Sequence, residues 1–327
     1  MRKLESSNVL VTGGAGFIGS NLIERLLSQN NRVVCLDNLS TGKMENIHEF
    51  MAHPGFEFVR GDIRNPDDCR KAVENVEYVL HQAALGSVPR SINDPVTTSN
   101  VNIGGFVNML IASRDAGVKR FVYAASSSTY GDHPGLPKVE HIIGKPLSPY
   151  AITKYVNELY AENFSSLYGM ETIGLRYFNV FGKRQDPEGA YAAVIPKFIR
   201  LLLRGESPVI NGDGEQSRDF TYISNVIQAN ELALLTNSPE ALNTVYNVAF
   251  GENTSLNTLF RLLTDMLTEL GLPAAGIKPV YGPGRAGDVR HSLASIAKAS
   301  ALLGYNPEYS LERGLREAIR WYYENLK

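Results

Sequence analysis

Val9-Leu10-Val11-Thr12-Gly13-Gly14-Ala15-Gly16-Phe17-Ile18-Gly19 decides the fold. Its first four residues are a short, β-branched apolar run, the pattern of a buried strand. Glycines follow at 13, 16 and 19, and a helical pattern runs on over 17–28. Strand, glycine turn and helix, in that order, make a dinucleotide-binding unit. Gly13 permits the sharp turn, Gly16 lets backbone approach a pyrophosphate, and Gly19 lets the helix pack close to the sheet. Free N–H groups at the helix start, at Phe17 and Ile18, then face the phosphates.

The acidic partner stands where this unit needs it. Asp37 ends a second strand run, about 20 residues beyond Gly19. A carboxylate there accepts from the ribose hydroxyls of the adenosine and repels a 2′-phosphate, so NAD is expected over NADP. Asn38 follows in the turn, and Gly61-Asp62-Ile63 ends a third run, where Asp62 is placed to meet the adenine amino group. Further strand runs at 76–80, 118–125 and 172–180 alternate with helical patterns at 96–116 and 149–168. The second of these opens on Ser148 as N-cap with Pro149 at the first helical position, and Gly169 stops it. Such alternation predicts an α/β fold, a Rossmann doubly wound parallel sheet covered on both faces. The domain is expected over 1–180, with a smaller, mostly C-terminal substrate-binding lobe over 181–327. Segments around 219–250 are free to rejoin the sheet.

The 327 residues suit about two domains. With 32 basic against 34 acidic side chains, the balance of −2 excludes a global nucleic-acid footprint and a polybasic membrane patch. Two cysteines, Cys35 and Cys69, with no clustered histidines, give no metal-ligand spacing. No apolar signal stretch precedes Val9, and no window reaches the roughly 18 apolar residues of a membrane span. A soluble, cytoplasmic protein acting on a small molecule is the expectation.

Tyr150-Ala-Ile-Thr-Lys154 puts a phenol and an ammonium on one face of a helix. A free phenol, with a pKa near 10, is a poor base at neutral pH, and a neighbouring cation favours its phenolate. Tyr150 is therefore expected to take a proton from a substrate hydroxyl while hydride leaves the same carbon, with Lys154 also binding the nicotinamide ribose. The strand end Ala124-Ala125-Ser126-Ser127-Ser128-Thr129-Tyr130-Gly131 leaves the sheet at its carboxyl side, where ligands bind in such folds. Of its hydroxyls, Ser126 is favoured to share the proton with Tyr150.

With these residues assembled, the chain resembles the extended short-chain dehydrogenase/reductases over essentially its whole length. It is most similar to the nucleotide-sugar 4-epimerases, in particular UDP-N-acetylglucosamine 4-epimerases. The stretches His81 to Pro95, Leu175-Arg-Tyr-Phe-Asn-Val-Phe-Gly182, Asn211 to Phe220 and Arg285-Ala-Gly-Asp-Val289 carry the likeness. The resemblance implies that Ala83, Ala84, Asn102 and Tyr177 serve the cofactor. It implies that Asn179, Arg218, Arg285 and Asp288 hold the nucleoside diphosphate and sugar, with Val194, Val209 and Asn211 near the uridine. UDP-galactose 4-epimerases commonly carry lysine at the place of Gly86 and a bulky residue at that of Ser292. Gly86, Ser127, Asn179, Gln185, Ala193 and Ser292, with Ser87 beside them, resemble instead the wall of a roomy pocket that fits an N-acetyl group.

The implied activity is reversible inversion at C4 of a UDP-N-acetylhexosamine, UDP-GlcNAc or UDP-GalNAc, through a 4-keto sugar with NAD retained. The implied assembly is a homodimer, and the implied pathway polysaccharide synthesis. Rivals within the scaffold are UDP-glucose/UDP-galactose and UDP-uronate 4-epimerases. A 4,6-dehydratase usually has an Asp-Glu pair where Ser127-Ser128 stand. A non-catalytic NAD-binding module would not need Tyr150 and Lys154 intact.

Overall fold

Short β-branched runs become strands and amphipathic runs become the helices that cover them. The computed structural model describes residues 3–187, 193–284 and 290–326. In chain order the first half is β1 (Asn8–Thr12), α1 (Phe17–Leu27), β2 (Arg32–Asp37), β3 (Phe56–Arg60), α2 (Pro66–Ala72), β4 (Tyr78–His81), α3 (Val88–Asn93), α4 (Pro95–Ser99), α5 (Phe106–Asp115), β5 (Arg120–Ser126), α6 (Pro149–Tyr168) and β6 (Thr172–Tyr177). There follow β7 (Val180–Phe181), α7 (Val194–Leu203), β8 (Val209–Asn211), β9 (Ser217–Arg218), β10 (Thr221–Tyr222), α8 (Ile223–Leu235), β11 (Thr244–Val248), β12 (Thr254–Ser255), α9 (Leu256–Glu269), β13 (Val280–Gly282), α10 (Ala297–Leu303) and α11 (Leu311–Asn325).

Seven strands form one parallel sheet in the order β11-β6-β5-β4-β1-β2-β3. The order reverses between β1 and β4, and the carboxyl ends of strands flanking such a point form a ligand crevice. Both faces are covered. Leu22, Ile23 and Leu26 of α1 share a core with Phe198, Val226, Leu263 and Leu315. On the other face Phe106, Met109 and Leu110 pack with Phe121, Tyr123 and Phe164. Residues 244–248 are the sheet's last strand, with Thr244 opposite Ile173. Among the described residues, no helix is long and apolar enough to cross a membrane.

Three local readings are corrected. The helical run expected over 96–116 is α4 and α5 joined by a wide π-type turn, Asn100–Gly105. A Cβ on Gly105 would stand 2.5 Å from the Ile63 side chain, which would have to shift to admit it. The strand run expected over 172–180 breaks after Tyr177, and Asn179 turns the chain at φ +34. The stretch from 181 onward, whose pattern looks irregular, contains α7, α8 and α9. In α7 the buried residues Ile195, Phe198, Ile199 and Leu202 repeat at helical spacing.

Candidate active site

The glycine loop is enforced by contact. Gly13 sits at φ +67, and a Cβ there would stand 2.7 Å from the Ala83 nitrogen. On Gly19 it would stand 2.3 Å from the Gly13 carbonyl oxygen. Gly16 caps α1 without a side-chain hydrogen bond, so the first N–H groups of the helix are left for a ligand. All three line a cleft of ≈ 1140 Å3 along the carboxyl ends of the strands. Phe17 and Ile18 line it too.

Asp37, at the end of β2, lines the same cleft. Its carboxylate accepts from Ala15 N (3.0 Å) and Leu39 N (2.8 Å). Burial raises its pKa, and these two bonds pull it back. Asn38 donates to Asp62 at 2.9 Å. Arg64 bonds Asp62 and, against a smaller desolvation cost, brings its pKa down to about 2. Asp62 and Ile63 are both on the cleft wall. A bare helix N-terminus, a glycine floor and a carboxylate with spare lone pairs suit a dinucleotide.

Beyond β4, Ala83 N donates to Thr12 Oγ1 (3.2 Å), which meets His81 Nδ1 at 3.0 Å. Burial, with Lys154 nearby, lowers the His81 pKa to about 3, so the ring is neutral and serves as a fixed hydrogen-bond partner. Ala83 and Ala84 line the cleft, whereas Asn102 is absent from its wall. The Asn102 amide is engaged elsewhere: it accepts from Leu85 N (2.8 Å) and donates to Thr153 Oγ1 (3.1 Å). It holds the 83–85 loop against α6, so the expected cofactor contact is replaced by a clamp behind it.

The Ser148 side chain accepts from Ala151 N and starts α6, which brings Tyr150 into the cleft. Ser91 Oγ accepts from Tyr150 N at 3.0 Å. Lys154 is buried one turn on, its Nζ 6.0 Å from the Tyr150 ring centre and donating to Ala124 O at 2.8 Å. Burial lowers the Lys154 pKa to about 8, with Glu158 opposing. Burial raises that of Tyr150, opposed by a side-chain hydrogen bond with Ser126 that favours the phenolate. In the protein alone, then, Lys154 does not hold the phenol below its ordinary value. Ser126 Oγ accepts from Ser128 N (3.2 Å) and Ser128 Oγ (2.9 Å), which leaves its own proton to share with Tyr150.

Tyr177, Asn179, Gln185 and Ala193 also line the cleft, as do Gly86, Ser87 and Ser127. The Tyr177 hydroxyl turns inward to Asn230 (2.9 Å) and Gln82 (3.2 Å), and burial raises its pKa to about 12. Only the rest of its side chain is free for the cleft. Asn179 donates to Asp219 O and Gln185 to Val180 O. A Cβ on Gly86 would meet nothing within 4 Å, so that wall is open.

Val194, Val209, Asn211, Arg218 and Ser292 do not line the cleft. Val209 and Asn211 lie in β8 beside β13, and Ser292 N donates to Ser217 O at 3.0 Å, next to Arg218. Val194 opens α7 and Arg218 lies in β9, paired with β12, so the structure does not bring these residues together on the cleft wall, and Ser292 is not part of it. Arg285 and Asp288 lie outside the described residues. Sequence reasoning missed Gln82, Lys43, Arg90, Arg184, Asp186 and Trp321, all on the cleft wall. Gln82 follows directly on the strand whose next residues were assigned to the cofactor. The others belong to ordinary polar loops and helices and carry no signal of their own.

The comparisons agree with this geometry. Residues 9–249 match the model of the NAD dependent epimerase/dehydratase family. A UDP-N-acetylglucosamine 4-epimerase from Methanobrevibacter ruminantium, solved with UDP-N-acetylmuramic acid, is similar at 40% identity and TM-score 0.91, over 98% of this chain and 99% of that one. A UDP-glucuronic acid 4-epimerase from Bacillus cereus, solved with UDP-glucuronic acid and NAD, is similar at 32% identity and TM-score 0.86, over 98% and 100%. A putative UDP-glucose 4-epimerase of Methanocaldococcus jannaschii is 40% identical over 97% of this chain and 99% of its own length.

Proposed function

This chain belongs to the NAD dependent epimerase/dehydratase family, and from that premise we propose that it reversibly inverts C4 of a UDP-N-acetylhexosamine. The observation that carries the reading is the Tyr150–Ser126 contact at the carboxyl end of β5, within the cleft that begins at the glycine loop. When bound, NAD supplies a reversible hydride acceptor for C4. Tyr150 takes the O4 proton as the C4–H bond breaks, with Ser126 bridging, and returns it when the bond reforms. Lys154, fixed by Ala124 O, keeps a positive charge near the phenol, and a cationic nicotinamide would add to it. Asn179 and Gln185 are placed to hold the substrate while the 4-keto sugar turns over. Asn211 of β8 and Arg218 of β9 are proposed to grip the nucleoside diphosphate, an arginine fork suiting phosphate oxygens. Space beside Gly86, with Ser127 and Ala193 on the wall, supports an N-acetyl substituent at C2.

A second copy of the chain is the proposed partner. Val96, Ile111, Ile152, Leu159 and Leu167 are exposed on α4, α5 and α6, and they are proposed to pack against the same helices of that copy.

Purified protein, with no added reductant, is incubated with UDP-N-acetylglucosamine and separately with UDP-glucose, and each 4-epimer is quantified by NMR. The acetylated sugar should turn over, and Tyr150→Phe should lower kcat about 10²–10⁴-fold while bound NAD is kept. Preference for UDP-glucose would keep the chemistry and remove the pocket argument. No product from either sugar, with NAD bound, would remove the substrate assignment.

A further inference from the structure

Residues 183–186 leave β7 and cross from the substrate lobe to the mouth of the cofactor cleft. Arg184 adopts φ +68, a conformation unfavourable for a side-chain-bearing residue, yet its side chain is only 9% exposed. One guanidinium nitrogen donates to Glu24 Oε2 at 2.6 Å and to Ser20 O at 3.4 Å, both on α1. The other pairs with Glu49, and the group lies 5.4 Å over the Phe50 ring. Lys183 Nζ reaches Glu24 Oε1 at 2.6 Å, and Asn21 donates to Lys183 O at 3.1 Å. At the far end Asp186 pairs with Lys43 at 3.2 Å, in the loop after β2. Arg184, Gln185 and Asp186 share the cleft wall with Gly16, Phe17 and Lys43.

A segment of the substrate lobe is thus bolted to the helix whose N-terminus faces the cofactor. The strained backbone of Arg184 is held by its side-chain partners, as strain persists only where its surroundings over-determine it. An enzyme that returns its hydride to the same sugar has no use for cofactor exchange, and loss of the cofactor at the 4-keto stage would strand the cycle.

We propose that Arg184 is a positioning residue that straps 183–186 across the cleft and thereby sets how slowly the dinucleotide leaves. The strap also fixes Gln185, so it joins the grip on the cofactor to the wall of the sugar pocket. The inference rests on the NAD-dependent reading for its occupant and on nothing about the sugar.

The test is a chase: protein loaded with radiolabelled NAD is diluted into excess unlabelled NAD, and retained label is followed by rapid filtration. Arg184→Ala should speed release about tenfold or more, and Arg184→Lys, which keeps charge but loses the fork, by less. Glu24→Gln with Glu49→Gln removes the anchor from the other side without touching the cleft wall, and should speed release comparably. Adding Arg184→Ala to that pair should change the rate little further, because the variants break one shared interaction. Melting temperatures of the NAD-free proteins distinguish this from general loosening. Release at the parental rate in both Arg184→Ala and the double glutamine variant would overturn the strap. So would additive effects accompanied by equal losses in the melting of the NAD-free proteins. Neither outcome depends on epimer formation, which is scored separately.

Discussion

The two walls of the cleft are held by different forces. On the phosphate-loop wall the shape comes from backbone touching backbone: Gly13 lies against Ala83, Gly19 against Gly13. On the wall that 184–186 contribute, the shape comes from side chains that reach across the fold. Arg184 meets Glu24 and Glu49, and behind Asn179, which donates to its carbonyl, Asp219 collects the amides of Phe250, Gly251 and Ala294. A backbone wall has no intermediate settings, since one added methyl group has nowhere to go. A wall of charged and polar side chains yields by degrees and responds to pH and salt. This division suits the proposed function, in which one cofactor is kept while a ketosugar turns.

The comparison breaks most visibly at Gly19. Alanine there sets its Cβ 2.3 Å from one backbone oxygen and 2.7 Å from Gly14 Cα, with no flexible side chain to move aside. Overpacking usually costs about 1–3 kcal/mol, and rigid neighbours put this case at about 3 or above. Affinity for NAD should fall about 100-fold or more, as read by calorimetry, with a lowered melting temperature. A Gly19→Ala protein that binds NAD normally would show that this wall is not fixed by backbone contact.

The same division explains what the sequence discloses. Backbone demands leave marks at fixed local spacing: glycines at 13, 16 and 19, Ser148-Pro149 before a helix, Tyr150 and Lys154 one turn apart. Side-chain partnerships between distant segments leave none. Arg184 and Glu24 are far apart in the chain, and nothing near either residue announces the other. Asn102 shows the intermediate case. The residue type was readable, but its amide serves Leu85 and Thr153, which only the wide turn of Asn100–Gly105 brings within reach. Val209, Asn211 and Ser292 were singled out only by resemblance, and none of them lines the cleft; a three-residue strand such as β8 gives too short a period to register.

Asp219 tests the side-chain wall with a smaller effect. Burial raises its pKa to about 7, with Glu252 adding, while the amides of Ala294, Phe250 and Gly251 oppose. An unfolded aspartate titrates near 3.9, so between about 4 and 7 the folded state holds the extra proton. Stability from this group is full below about pH 4 and is lost as pH rises through about 7. Asp219→Asn removes that slope. It also turns an amino group towards an amide, at Ala294 or at Gly251, costing about 1–3 kcal/mol for the unmet donor. Urea midpoints from pH 4 to 8 decide the matter: parental slope in the variant would assign the titration to another group.

The smallest effect ties capping to chemistry. Ser148 closes the first turn of α6 by accepting from Ala151 N, and Tyr150 sits within that turn. Ser148→Ala should cost about 1 kcal/mol, a normal loss for a helix N-cap. Pro149 still favours the helical start, and Ser91 still accepts from Tyr150 N, so the turn should fray rather than unwind. Fraying moves the phenol away from Ser126 for part of the time, which lowers the fraction of molecules in the reactive geometry. The turnover number should therefore fall severalfold with KM nearly unchanged, because the groups proposed to grip the nucleotide lie on other elements. A cap loss that lowers stability but leaves kcat intact would show that Ser91 alone positions Tyr150. The double variant Ser91→Ala, Ser148→Ala would then carry the loss in turnover.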